Sequence, residues 1–166
     1  GGIALLLCDL ECEGVCRTEL PKLGWWASDT ATIHFDDVFV PAENLIGEED
    51  KGFYGIMANF NGERLGMAAG AAASARVCVE EAAAWAQERK TFGKRLADHQ
   101  VIRHKLASMA QRVWATTTML DTYAWHVQNG NTPVAELAML KVQATETLEY
   151  CAREAMQILG GAGFIR

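Results

Sequence analysis

The chain has no apolar run close to the roughly 20 residues that a membrane-spanning helix needs. It has no clustered basic face, and its net charge of −6 runs against the positive surface that binds phosphate backbones, so nucleic acid is excluded as a partner. Its opening, GGIALLLCDL, reads as strand and lacks the charged-then-apolar pattern of a secretory leader. There is no CxxC pair, and His34, His99, His104 and His126 are scattered without i,i+4 pairing. The histidines therefore read as surface or hydrogen-bonded residues. Cys8, Cys12 and Cys16 recur every fourth residue, but on a strand-and-turn segment rather than a compact ligand loop. The expected metal content is none. An odd number of cysteines, five, without a leader points to a reducing compartment. No internal repeat and no low-complexity tract appears.

What is present suffices for a packed core: half of the 166 residues are hydrophobic and 22% are charged. That length gives one domain, or a piece cut across two. The chain starts without Met and stops just after a helix, so both ends are expected to be cuts through a longer protein.

Two halves differ in period. From Ile3 to Val40 the pattern is β: IALLLCDL predicts a buried strand, and ATIHFDDVFV alternates Ile33 and Phe35 against polar neighbours. LPKLGWWASD between them holds turn formers. Pro41 and Gly52 lead into helical territory. A first helix is expected from about Gly52 to Arg89. A second opens at Asp98 as N-cap and carries Ile102, Leu106, Met109, Val113, Thr117 and Leu120 at 3–4 spacing. After QNGNTP, with Pro133 at the first helical position, a third carries Leu137, Ala144, Leu148, Cys151, Ala155 and Ile158 and ends at Gly160-Gly161. The fold class is α+β: a partial antiparallel β domain over residues 1–50, then an up-down helical bundle over residues 51–166 with three of four helices present. AAGAAASA reads as a helix face built for close packing.

Three motifs carry candidate chemistry. In NFNGERLGMAAG the series Phe53, Ile56, Met57, Phe60 and Met67, extended at helical spacing, places Glu63 and Arg64 on a buried stripe. A buried charged pair costs several kcal/mol unless something pairs with it or uses it. ERKTFGKRLADHQ joins an arginine, a hydroxyl, an aromatic and a glycine at a helix exit. That set holds a diphosphate against a ring system, or is a capped turn with surface charge. QILGGAG ends a helix. Its glycines serve as a C-cap or let a ligand approach bare backbone, with the Gln157 amide beside them. It follows a helix, so it is not a dinucleotide-binding GxGxxG.

Taken in order, LGWWASDTATIHFDDVFVPAENLIG, ERLGMAAG, ERKTFGKRLADHQ and QILGGAG resemble the acyl-CoA dehydrogenase family over essentially the whole chain. The resemblance implies a flavoenzyme of fatty acid metabolism that removes an α-proton and a β-hydride from an acyl-CoA thioester. The products are a trans-2-enoyl-CoA and reduced FAD, whose electrons pass to an electron-transfer flavoprotein. It implies that Arg89, Thr91, Phe92, Gln100, Gln157, Gly160 and Gly161 meet FAD, much of this across the interface of a homotetramer or dimer. Asn61 falls where the family contacts the CoA pantetheine, Arg64 lies beside the CoA tail, and Phe60 lines the acyl pocket. The compartment is bacterial cytoplasm or mitochondrial matrix.

The resemblance leaves two positions for the catalytic base. Most members carry it after the third helix, beyond this chain. The isovaleryl and long-chain enzymes carry it on the first helix, where Glu63 stands, so Glu63 is the expected base. Two other readings stay open: a non-catalytic scaffold of the same family, and a flavin-dependent oxidase of related fold acting on acyl-CoA or nitroalkanes.

Overall fold

The computed structural model describes residues 2–165, so the expected segment limits at residues 1 and 166 lie outside the described residues. The chain forms two compact units, Gly1–Met57 and Ala58–Arg166. In the first, β1 (Leu5–Leu6) pairs antiparallel with β4 (Leu45–Ile46), and β2 (Val15–Glu19) with β3 (Ala31–Phe35). In the longer ribbon Val15 faces Phe35 and Glu19 faces Ala31. The buried strand expected over IALLLCDL shrinks to two residues, and Leu6 and Leu7 are exposed. Ile33 and Phe35, expected to point inward, are also exposed. A two-stranded ribbon carries no second layer against which to bury one of its faces.

Helix α1 (Gly52–Glu88) begins in the first unit. Gly52 donates its N–H to the Ile3 carbonyl at 2.7 Å, and a Cβ there would lie 2.9 Å from backbone atoms of Ile3, Ala4 and Leu5. Only glycine allows that approach. The first turns of α1 pack back on the opening segment and so belong to the first unit, which ends at Met57.

The second unit is the bundle: the rest of α1, α2 (Gln100–Gln128) and α3 (Val134–Leu159). The interior of α1 is alanine: Ala68, Ala75, Ala82 and Ala86 are fully buried. One cluster joins Ala75, Ala82 and Ala86 to Met109 of α2 and to Cys151, Ala155 and Ile158 of α3. Another joins Ala68 and Ala71 to Leu140 and Ala144, with Leu120 and Tyr123 against them. Asp98 does not cap α2. It closes a short 3-10 turn, Leu96–Asp98, and accepts two hydrogen bonds from the Arg95 guanidinium, which hold its carboxyl below the usual carboxylate range. His99 takes the cap position instead, without a side-chain cap bond. Pro133 likewise precedes the first helical residue of α3.

Two buried polar groups link α2 to α3. Thr116 and Thr147 share a hydroxyl–hydroxyl bond at 2.9 Å with both residues fully buried. Nearer the solvent, Lys105 forms a half-buried ion pair with Glu154. Thr147 Oγ1 also accepts from Gln143 Nε2 at 3.2 Å, so it keeps a partner when Thr116 is lost. Thr116→Val is therefore expected to destabilise the fold by only about 1 kcal/mol, and Thr147→Val, which also frees the Gln143 amide, by more. Urea unfolding of the two variants measures it. Burial, with the nearby Cys78 thiol, pushes the Cys151 thiol up to about 11. At neutral pH it stays protonated and unreactive. Iodoacetamide is therefore expected to label exposed Cys16 in the native protein and Cys151 only after unfolding, read by peptide mass spectrometry.

Candidate functional site

The exit of α1 runs into a hairpin of β5 (Lys90–Thr91) and β6 (Lys94–Arg95). Its two-residue turn is Phe92-Gly93, with φ of 50° and 80°. Positive φ at both central positions is the type I′ geometry that suits a hairpin's twist, and glycine takes it freely while phenylalanine does not. The turn leaves Phe92 in the left-handed region with 97% of its surface exposed. Leu96 N–H, donating to the Arg89 carbonyl at 2.8 Å, returns the chain to the helix exit.

At the same end of the bundle α3 stops. Gly160 has φ 62° and ψ −132°, and its N–H donates to the Met156 carbonyl, so the helix unwinds into the 3-10 turn Gly160–Phe164. A cleft of about 390 Å³ opens between these two helix ends, lined by Trp85, Arg89, Thr91, Leu96, Leu159, Gly160, Gly161 and Ala162. Arg89, Thr91, Gly160 and Gly161, proposed from two motifs some seventy residues apart, thus line one space. A Cβ on Gly160 or Gly161 would meet nothing within 4 Å, so bare backbone faces the opening. A guanidinium, a hydroxyl and uncovered backbone beside an indole form a donor set for a diphosphate carried on a flat ring system.

The other residues of that set lie elsewhere. Gln157 lines a neighbouring groove of about 700 Å³ with Arg153, Met156, Gly163 and Phe164, which shares Gly160 with the cleft. Gln100 lines a separate hollow with Arg103 and His104, and its amide lies 3.5 Å from His104 Nε2. Phe92 projects into solvent. Sequence reading missed Trp85, Leu96 and Leu159 because they read as ordinary helix and turn residues. It left His99 without a role, although its ring touches Thr91.

On α1, Phe60, Asn61 and Arg64 do come together. Arg64 Nη1 donates to Asn61 Oδ1 at 3.0 Å, and the guanidinium lies over the Phe60 ring at 5.9 Å. The buried Glu63–Arg64 pair does not exist. Adjacent helical residues point about 100° apart. Arg64 falls on the stripe of Ala68, Ala71 and Ala75 and is half-buried, whereas Glu63 is exposed. Glu63 instead accepts a hydrogen bond from Asn59 Nδ2 at 2.6 Å. Its neighbours along this face, Phe60 and Met67, are 38% and 54% exposed. The large apolar residues that suggested a buried stripe lie off it, because alanines fill the inward face. Among the described residues no group of three or more His, Cys, Asp or Glu side chains is placed to hold a metal ion.

The backbone of Gly160 lies near a conformation that only glycine populates. Gly160→Ala is expected to destabilise the fold by about 1–3 kcal/mol, seen as a lower midpoint in thermal unfolding.

Three comparisons bear on this site. Residues 50–166 match the family profile described as acyl-CoA dehydrogenase, C-terminal domain. Over 99% of its length the chain is 38% identical to an acyl-CoA dehydrogenase of Alternaria alternata, and 36% identical to the CarC subunit of the caffeyl-CoA reductase-Etf complex of Acetobacterium woodii, covering 40% and 44% of those proteins. The crystal structure of acyl-CoA dehydrogenase from Geobacillus kaustophilus superposes with a TM-score of 0.94 at 36% identity, over 98% of this chain and 43% of that one. The chain thus spans about two fifths of the length of the relatives it matches.

Proposed function

From the premise that the chain belongs to the acyl-CoA dehydrogenase family, we propose that it forms part of an FAD-dependent enzyme that converts an acyl-CoA thioester to its trans-2-enoyl-CoA. The cleft at the bundle end supports this reading most. It collects Arg89, Thr91, Gly160 and Gly161 from two distant segments, and their chemistry fits the diphosphate of FAD. When bound, FAD supplies the acceptor for the β-hydride. Arg89 and the Thr91 hydroxyl hold its diphosphate, and the glycines let it approach the backbone. Phe92, Gln100 and Gln157 lie outside the cleft and serve cofactor held by another subunit of a homodimer or homotetramer. The full exposure of Phe92 supports that role.

Glu63 takes the α-proton. The acyl chain covers Phe60 and Met67, which flank it along α1, and excludes water from the carboxylate while the substrate is bound. Asn61 and Arg64, already joined by a hydrogen bond, receive the CoA tail. Electrons leave to an electron-transfer flavoprotein, a reading supported by the Etf complex to which the Acetobacterium relative belongs. Reduced cysteines suit bacterial cytoplasm or mitochondrial matrix.

In the enzyme carrying this sequence, Glu63→Gln is expected to keep FAD bound and to slow its bleaching by substrate about 100-fold or more. Bleaching at the wild-type rate assigns the base elsewhere. The purified enzyme is expected to absorb near 450 nm, as flavoproteins do, and a colourless protein would instead be a non-catalytic scaffold.

A further inference from the structure

His99 occupies the cap position of α2, yet its ring does not cap the helix. It turns to the hairpin. His99 Nε2 lies 3.3 Å from Thr91 Oγ1 and 3.4 Å from the Thr91 carbonyl oxygen. Its ring also meets Phe92 edge-on, with centroids 6.4 Å apart. The ring is half-buried, and Thr91 lines the cleft.

The two oxygens decide which nitrogen carries the hydrogen. A carbonyl only accepts, so a bare Nε2 would set its lone pair against the carbonyl's. With hydrogen on Nε2, one N–H is shared between the carbonyl and the hydroxyl oxygen. The Thr91 hydroxyl then accepts from His99, and its own hydrogen remains free to donate into the cleft. Were Thr91 to donate to His99, that hydrogen would be lost to a ligand.

We propose that His99 is a positioning residue of the cleft, its Nε2–H fixing Thr91 so that the hydroxyl donates to a diphosphate oxygen. This rests on the reading of the cleft as the FAD site. Nothing in the chemistry of the reaction requires His99 to touch substrate, so its effect is carried by cofactor affinity.

The experiment measures FAD dissociation constants by flavin fluorescence on reconstituting the enzyme that carries this sequence. His99→Ala is expected to weaken FAD about tenfold, the loss of one hydrogen bond to a charged group. His99→Gln, whose amide N–H reaches the Nε2 position, is expected to restore affinity to within about threefold. In a Thr91→Val background His99→Ala is expected to add less than about twofold. Should His99→Ala fail to fold, His99→Asn, too short to reach Thr91, carries the same expectation. The proposal is overturned if losing the His99 donor leaves FAD affinity unchanged while Thr91→Val weakens it, or if the two losses multiply. If neither Arg89→Ala nor Thr91→Val weakens FAD, the cleft reading fails by itself, whatever His99 does.

Discussion

The smallest side chains in the protein set how near its three long helices approach. Ala68, Ala75, Ala82 and Ala86 give α1 an almost flat inner face, and Ala144 and Ala155 do the same for α3. Each alanine contributes little apolar area of its own. What it permits is close contact for the larger partners, so that Met109, Leu137, Leu140 and Ile158 are almost wholly enclosed. Which residues meet also fixes direction. The middle of α1 meets the start of α3 at Ala68 and Leu140, and its end meets the end of α3 at Ala86 and Ile158. The two helices therefore finish at the same end of the bundle, where α2 begins.

The cleft and its charge follow from that convergence. Two helix C-termini side by side present unsatisfied carbonyls and the negative ends of two macrodipoles, an unfavourable place for an anion. The connecting segment answers with Arg89, Lys90 and Lys94, Arg95 being paired with Asp98, in a chain whose net charge is −6. Gly160 N–H satisfies the Met156 carbonyl, and the Gly160 backbone leaves helical conformation at once. An anion at this end would be held by side chains and by the Gly160-Gly161 backbone, not by a helix terminus. Arginine suits this duty because its fork binds two oxygens together.

The bundle was legible in the sequence because 3.6-residue periodicity, the turn at Asn129 to Pro133 and the terminal glycines each mark a helix independently. The cleft was legible as two motifs but not as one place, since spacing along the chain says nothing about which helix ends meet. The β segment was read poorly. IALLLCDL and Ile33 with Phe35 have the composition of buried strands, but burial needs a facing layer: Ile33 and Phe35 stay exposed on a two-stranded ribbon, and only Leu5–Leu6 of the opening run forms strand. The α1 stripe misled for a subtler reason. Reading the period from Phe53, Phe60 and Met67 followed the largest apolar residues, while the helix packs on its smallest. Rotating the stripe onto the alanines leaves Arg64 half-buried and Glu63 outside.

That rotation bears on the chemistry. A helix that turns small residues inward and Phe60 and Met67 outward has two apolar faces, one spent on the bundle and one open. Exposed apolar area beside a carboxylate is unfavourable in water, and its cost is removed only when something apolar lies across it. An acyl chain has that character, and it would reach Glu63 from solvent without any rearrangement of the packed core. The same economy holds at the hairpin, where Phe92 combines left-handed backbone with near-complete exposure. Neither property rewards an isolated chain. Both make sense if the ring is covered by a flat partner, and the cleft behind it has its own indole in Trp85.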